Sequence, residues 1–357
     1  MMIEGRMTYR WLWSCLVAGS LLLTGCTDRS EDDLQQPEQG VPLQLGAVTR
    51  TEGAASYTGS QNIRIYLTND AGMVKDDGLF SASGWTSNLD VKEESQYYIY
   101  GYMPSSITAN YSKPADPLKY SDGIDLSFSD LPPITTNDIC IVVGVQRVKA
   151  ASSATVTEGN YGYLSGINTQ NYVNLLMVHL FTGLEIRFKL DADYAKVRSI
   201  HLLECTLTYT YYNVDAEVNI RKGQGIGSST IKTTGSSSEK TLKLLDVNDT
   251  DNPDVEIVLD KTTTSNAVSL RQAYCAPCLF TDNTGITITS KYDVYDKSNN
   301  KTGETRESVN TLNTTWPESN PAAPGMKKTV TLTVKPTYLY ILSDNDLDNP
   351  VITLSSE

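Results

Sequence analysis

Apolar and polar residues alternate along most of the chain after residue 40, and this period of two constrains the fold more than any other feature. Such alternation is typical of a β-strand with one buried and one solvated face. Turn-forming residues separate the alternating segments, and no segment shows a sustained helical period. We therefore predict an all-β fold made of antiparallel β-sandwiches. The clearest alternating segments are 43–47, 63–67, 184–190, 203–211, 286–294 and 330–334.

The length of the chain, 357 residues, exceeds what one β-rich domain usually needs, so we expect two domains. Between residues 148 and 172 the composition shifts to Ala, Ser, Gly and Asn, which is typical of a domain boundary. We predict an N-terminal sandwich over 41–165, whose first strand spans 41–50, and a C-terminal sandwich over 170–357.

The N-terminus has the pattern of an export signal. A basic start precedes an apolar run at 11–23, which is too short to span a bilayer comfortably but suits a signal-peptide core. The run ends in Leu23-Thr24-Gly25-Cys26, which resembles a bacterial lipobox in which Cys26 is acylated. We predict a lipoprotein signal peptide over 1–25 and a polar tether over 26–40. An ordinary secretory cleavage with an incidental cysteine is the alternative.

Acidic residues follow Cys26 closely, at 27–33. They are similar to the signal that sends certain lipoproteins to the outer face of the outer membrane, although a solvated linker has the same composition. We expect the mature protein to be tethered to the cell outer membrane by lipid and exposed at the surface, because several acyl chains anchor stably.

Charge and motif content argue against several function classes. Twenty-nine basic and 42 acidic residues leave a net charge of -13, which repels nucleic acid. Of the two histidines, His179 lies in a clean strand pattern and is expected in a core or interface, and no phosphate loop or catalytic motif accompanies either. We expect no enzyme activity, no cofactor and no metal. Two acidic loops lack the EF-hand pattern and are predicted to be solvated turns rather than calcium sites; they contain Asp246 and Asn248, and Asp344, Asp346 and Asp348.

Four cysteines remain once the signal is removed and Cys26 is acylated: Cys140, Cys205, Cys275 and Cys278. The motif Cys275-Ala276-Pro277-Cys278 resembles a redox dithiol, but a turn and a strand follow it, whereas that chemistry needs a helix N-terminus to lower a thiol pKa. A zinc site would need a second close pair, which the chain lacks. Small buried thiols and a structural disulfide both stay open.

Aromatic residues are mostly tyrosine, with 21 Tyr against 5 Phe. A ring with a polar tip suits half-exposed strands and contact surfaces. The tyrosine-rich stretch at 97–120 is therefore either an adhesive face or part of the packing of a sandwich.

Several short blocks, taken in order, resemble the fimbrillin (Mfa-like) family of outer-membrane pilus subunits. Each block alone is a common strand pattern, so their order carries the resemblance. Thr182, where the family often has Ala or Ser, and the cysteine pair at 275 and 278 depart from the family pattern. After the lipobox, the blocks are Ala47-Val48-Thr49-Arg50, Ile63-Arg64-Ile65-Tyr66-Leu67, Tyr97-Tyr98-Ile99-Tyr100-Gly101-Tyr102-Met103-Pro104, Asn137-Asp138-Ile139-Cys140, Val178-His179-Leu180-Phe181-Thr182-Gly183-Leu184-Glu185-Ile186-Arg187-Phe188 and Lys328-Thr329-Val330-Thr331-Leu332-Thr333-Val334.

The resemblance implies a pilus subunit of two transthyretin-like sandwiches, exported as a lipoprotein and cut by an Arg-specific protease after its first strand. Here the cut would fall between Arg50 and Thr51 and would release the lipidated segment. A C-terminal strand of a neighbouring subunit would then fill the opened groove by donor-strand exchange. The candidate donors are 330–334, 338–341 and 351–354.

The residues alone are consistent with this mechanism without requiring it. Removing a strand that presents Leu43, Leu45 and Ala47 to a core would expose apolar surface and unpaired backbone groups. Arg50 could equally be a plain cation at the end of an exposed strand. The chain is thus expected to contact other pilus subunits, as shaft, tip or anchor, and a receptor or glycan. The alternative function is a surface lipoprotein that binds glycans and keeps its lipid.

Overall fold

The structure is a computed structural model of the chain. It describes residues 40–50, 61–84, 86–92, 95–148, 156, 158–159, 162–164, 171–280, 285–312, 324–336 and 350–356. Within these ranges the regular elements are strands, apart from short 3-10 helices at Tyr194–Lys196, Lys261–Thr263 and Pro277–Phe280. The predicted all-β class is confirmed.

The strands follow the alternating segments of the sequence closely. In chain order they are β1 (Val41–Arg50), β2 (Ile63–Asn69), β3 (Gly72–Phe80), β4 (Asp90–Val91), β5 (Gln96–Met103), β6 (Ala109–Ser112), β7 (Gly123–Leu131), β8 (Ile134–Thr135), β9 (Cys140–Val148), β10 (Gly162–Leu164), β11 (Asn171–His179), β12 (Thr182–Leu190), β13 (Ser199–Arg221), β14 (Gly225–Asp246), β15 (Ile257–Leu259), β16 (Val268–Ser269), β17 (Ala273–Cys275), β18 (Ile286–Tyr295), β19 (Arg306–Leu312), β20 (Lys327–Lys335) and β21 (Val351–Ser356).

The first sheet has the order β3-β2-β5-β9-β11-β1-β4, and β10 pairs with β5. Its two ends meet, because Leu79 at the end of β3 donates its N–H to Asn88 Oδ1 (2.8 Å) and Phe80 bridges to Ser87. The sheet therefore curls around an apolar cluster on its concave face. This first core contains Leu43, Leu45, Ile63, Ile65, Leu67, Phe80, Leu89, Val91, Tyr97, Ile99, Met103, Cys140, Val142, Val145, Val173, Leu175 and Met177.

Two further sheets form the rest of the fold. One has the order β21-β20-β12-β17-β8, with β16 beside β12, and the other has the order β19-β18-β13-β7-β6, with β14 and β15 beside β13. Two strand pairs are parallel, β1 with β11 and β12 with β20, where we predicted antiparallel sheets. The period of two is the same in parallel and antiparallel strands, so the alternation could not separate them.

The longest strand, β13, belongs to two cores. Its first part pairs with β18 and buries side chains such as Ile200 and Leu207 in a core formed with β12 and β20. Its second part pairs with β7 and buries Val214 and Val218 against the outer face of the first sheet. β13 thus pairs with a strand from the first half of the chain, β7, and with one from the second half, β18.

The tyrosines of β5 are packed rather than exposed, so the adhesive-face alternative is wrong for this strand. Tyr98, Tyr100 and Tyr102 are at most 7% exposed and belong to the core between the first sheet and β7. The hydroxyl of Tyr102 donates to the carbonyl of Ile107 (2.8 Å), and that of Tyr100 donates to the carbonyl of Tyr120. Each ring is buried while its polar tip reaches a backbone acceptor.

The boundary predicted at 165–170 stays a prediction, but pairing constrains where a division can fall. β11 follows the predicted boundary, yet it pairs with β9 and β1 in the first sheet. Gly40–Glu357 form one compact unit. β9, before the predicted boundary, and β11, after it, therefore share one sheet.

Candidate functional site

The strand β1 is the candidate site, because it is the segment that the proposed processing would remove. It runs parallel to β11, with partners from Leu43 opposite Asn171 to Arg50 opposite Met177. On its other side it pairs with β4 through Val41 and Pro42 alone. Among the described residues, most of the length of β1 thus has a ladder on one side only, which is the condition of an edge strand.

Two leucines anchor β1 in the first core. Leu43 is fully buried and Leu45 is 7% exposed, and both pack with residues of β11 such as Val173 and Leu175. Burial of a leucine side chain contributes about 1.5–3 kcal/mol relative to an exposed one. The predicted anchoring by Leu43 and Leu45 is therefore present.

A β-bulge interrupts the pairing of β1 with β11. The register shifts between Leu45 and Ala47, so Gly46 is the extra residue. Val48 packs against the first core. The side chain of Ala47, the third predicted anchor, lies outside the described residues.

A short segment before β4 covers the start of β1. Leu43 donates its N–H to the carbonyl of Leu89 (2.9 Å), and the Ser87 hydroxyl donates to the carbonyl of Leu43 (2.5 Å). These contacts were not predicted, although Leu89 and Val91 alternate with polar neighbours, a pattern that indicates a strand. Beyond this cover, a cavity of about 400 Å³ opens along β1. It is lined by Pro42, Leu43, Gln44, Leu45, Gly84, Thr86, Ser87 and Tyr172.

The predicted processing residues lie at the end of β1 and beyond it. Arg50 is the last residue of the strand. Cys26, the predicted lipidation site, and Thr51 lie outside the described residues. Cleavage after Arg50 and acylation of Cys26 stay predictions.

The three candidate donor segments have different positions. Residues 330–334 lie in β20, which is held between β12 and β21. Residues 338–341 lie outside the described part of the chain. Residues 351–354 lie in β21, an edge strand that pairs with β20 and buries Ile352 and part of Leu354. The edge position makes β21 the segment that can leave its sheet at the lowest cost in backbone hydrogen bonds.

His179 is buried, as predicted, and it forms a polar cluster with residues of β9 and of the turn before it. Its Nδ1 lies 2.6 Å from Asp138 Oδ1 and 3.2 Å from Cys140 Sγ. The 2.6 Å contact between His179 and Asp138 has the length of a hydrogen bond. The cluster joins the start of β9 to the end of β11 in the core.

The four cysteines of the described chain are free thiols. Cys140, Cys205 and Cys275 are buried and Cys278 is half-buried, so of the two open alternatives the buried thiol fits. Burial raises the pKa of the Cys205 thiol to about 12 and also raises the pKa of Cys275. A protonated thiol is a poor nucleophile, which agrees with the argument against a redox dithiol.

The acidic loop at Asp246 is a capped turn. Its carboxylate accepts a hydrogen bond from the backbone N–H of Asn248 (3.1 Å) and pairs with Lys243. The hydrogen bond from Asn248 and the charge of Lys243 lower the pKa of Asp246, with the Lys243 contact as the larger cause. Asp344, Asp346 and Asp348 lie outside the described residues.

Among the residues with described structure, no helix is both long and apolar enough to cross a bilayer. No protein-family model matches the chain, and no curated protein sequence matches it.

Several crystal structures are similar to the chain at low identity. One is a "putative cell adhesion protein" from Bacteroides uniformis, with 14% identity, a TM-score of 0.38, and coverage of 89% of this chain and 98% of that one. Another is a fimbrial protein from Bacteroides vulgatus, with 14% identity, a TM-score of 0.40, and coverage of 88% and 98%. A fimbrial protein from Bacteroides ovatus has 11% identity, a TM-score of 0.35, and coverage of 87% of this chain and 53% of that one.

Proposed function

We propose that this chain is a non-enzymatic subunit of a surface fimbrium, exported as a lipoprotein acylated on Cys26 and assembled by donor-strand exchange after cleavage between Arg50 and Thr51. The observation that carries the proposal is the position of β1. It ends at the proposed cleavage point, buries two leucines in the first core and, as far as the described residues show, has a full ladder on one side only. The ordered sequence blocks that resemble the fimbrillin family supply the functional class.

Cleavage after Arg50 would leave β1 held by non-covalent contacts alone. These are the backbone ladder to β11, the two pairs to β4, and the side chains in the first core. Loss of β1 would expose the edge of β11 together with Val173 and Leu175, which belong to the same core cluster as Leu43 and Leu45. Unpaired strand edges and apolar surface together favour pairing with another chain.

The strand β21 of a neighbouring subunit is the donor that fits best. Its Ile352 and Leu354 lie two residues apart on one face, as do Leu43 and Leu45 of β1. Side chains two residues apart point to the same side of a strand, so β21 can present two apolar groups to the space that the leucines leave. Pairing by added strands combines backbone hydrogen bonds with such side-chain pockets.

The test is trimming of the exported chain with an Arg-specific protease, followed by denaturing electrophoresis without boiling. Cleavage after Arg50 should produce a ladder of stable oligomers, and Arg50→Ala should leave only the monomer. Arg271→Ala is the matched control, since Arg271 is 51% exposed and lies far along the chain from β1. Oligomers from the Arg50→Ala protein would overturn the role of this cleavage.

A second pair of variants tests the donor. Leu354→Asp in β21 should prevent ladder formation after cleavage, because a charge would enter the apolar floor of the groove. Thr353→Asp, one position away and directed to the opposite face, should still polymerise. Equal thermal unfolding of the two uncleaved proteins would confirm that both are folded, and ladders from Leu354→Asp would exclude β21 as donor.

The alternative function is glycan binding, in which exposed tyrosines would stack on sugars. The tyrosines of β5 are buried, whereas Tyr111 and Tyr120 of the stretch 97–120 are half-buried. This alternative predicts that the mature protein keeps the lipid on Cys26. Determining the N-terminus of the mature protein distinguishes it from the fimbrial subunit.

A further inference from the structure

Most of the charged side chains of β12 and β20 lie on the outer face of this strand pair, and most of those are cations. Leu184, Ile186 and Phe188 of β12 face a core, so the alternate residues Arg187 and Lys189 face outward. On β20, Val330, Leu332 and Val334 face the same core, and Lys327 and Lys335 fall on the outer side. We call Arg187, Lys189, Lys327 and Lys335 the basic stripe.

The four cations of the basic stripe lie in one line. Lys327 and Lys335 are eight residues apart on one strand, which is about 26 Å at 3.3 Å per residue. The parallel register puts Arg187 opposite Thr331 and Lys189 opposite Thr333, so both lie between the two ends. Adjacent strands are only about 4.8 Å apart, so the stripe is long and narrow.

One carboxylate, Glu185, interrupts the stripe. It is the only acidic residue of β12 and β20. Its carboxylate is bound by Arg187 Nη2 (2.7 Å) and Lys327 Nζ (3.0 Å), and it accepts hydrogen bonds from the hydroxyls of Ser269 (2.7 Å) and Thr329 (3.2 Å). Four cations against one anion leave the stripe with a formal charge of +3. Since the whole chain carries -13, this face is a local exception to its charge.

Hydroxyl groups fill the spaces between the cations. Thr329 and Thr333 of β20 and Thr353 of β21 are half-buried on or beside the same face. Arg187 and Lys327 keep 35% and 29% of their side-chain surface exposed, and Lys335 is exposed. The two strands of the stripe offer no outward aromatic ring, whereas proteins that bind single-stranded nucleic acid stack bases on aromatic rings.

We propose that the basic stripe binds a linear acidic polysaccharide, with its carboxylate or sulfate groups on the cations and its hydroxyls against the threonines. A narrow row of cations matches a single flexible polyanion better than a flat bilayer or a duplex. Basic clusters recognise such polymers by charge, and the acidic remainder of the surface directs them to the stripe. The inference does not depend on strand exchange, since β12 and β20 are intact before any cleavage.

The test is binding of the full, uncleaved chain to heparin and to polygalacturonate, which separates sulfate from carboxylate recognition. Lys189→Gln with Lys335→Gln leaves the partners of Glu185 in place and should weaken binding about 25-fold, at about fivefold for each cation removed. Lys113→Gln with Lys119→Gln makes the same charge change at exposed positions outside the stripe and should alter binding less than twofold. Higher salt should weaken the wild-type interaction.

Three results would overturn the proposal. The first is that the wild-type chain binds neither polysaccharide at low salt. The second is that the two double variants lose equal binding affinity. The third is that a single-stranded oligonucleotide binds as tightly as the polysaccharide. The Arg50→Ala protein should bind the polysaccharide as the wild type does, so failure of strand exchange and failure of this inference are separate outcomes.

Discussion

At the scale of residues, Glu185 is the clearest case of a charge held by its surroundings. Burial raises the pKa of its carboxyl, but hydrogen bonds from Ser269, Lys327 and Arg187 outweigh burial and lower the pKa to about 2. A carboxyl whose pKa is lower in the folded state stabilises the fold above its unfolded pKa, near 4.5, and loses that contribution as the pH falls toward 2.

The predicted consequence is an acid-dependent stability that a single substitution reduces. The midpoint of thermal unfolding of the wild-type chain should fall as the pH is lowered from about 4.5 to 2, and Glu185→Gln should make this dependence shallower. Glu239→Gln, at an exposed position of β14, is the matched control and should retain the wild-type slope. Parallel pH profiles for all three proteins would contradict the assignment.

Some residue placements were predictable and others were not. The burial of His179 and of the leucines of β1 follows from their positions in alternating strands. The contact of His179 with Asp138 could not be predicted in this way, because the two residues are 41 positions apart and only the pairing of β9 with β11 brings them together. The burial of Tyr100 and Tyr102 could not be read from residue type, since tyrosine suits both a surface and a core.

At the scale of elements, β1 shows how local alternation can predict a strand without predicting its register. The strand itself was predicted at 41–50, and it spans Val41–Arg50. Its parallel partner and the bulge at Gly46 were not predicted, because both depend on contacts with β11. A side chain at the bulge would be crowded, because a Cβ at Gly46 would lie 2.5 Å from Asn174 Oδ1 and 3.3 Å from Val148 Cγ2.

This close approach predicts that Gly46→Ala loosens β1. Overpacking of this kind costs about 1–3 kcal/mol, so chemical denaturation should give a lower free energy of unfolding. Hydrogen exchange of the backbone amides of β1 should be faster than in the wild type. Gly285→Ala is the control, since a Cβ there would meet only Thr311 at an ordinary 3.4 Å. A Gly46→Ala protein as stable as the control would show that the bulge has room for a side chain.

At the scale of the whole molecule, one long strand joins two of the three cores found among the described residues. β13 contributes to two of them, and β6 and β7 reach its sheet from the first half of the chain. The alternation of the sequence predicted the all-β class, but it could not predict that β11 pairs with β9, because that pairing joins segments distant in sequence. The candidate site lies in that first sheet, whereas the best donor lies at an edge of another.

The central claim is that β1 is removed so that another subunit can replace it. The most direct measurement is the N-terminal sequence and mass of the protein recovered from the cell surface. The account predicts a chain that begins at Thr51 and carries no lipid. A chain that begins at acylated Cys26 would contradict it and would identify a permanently anchored lipoprotein.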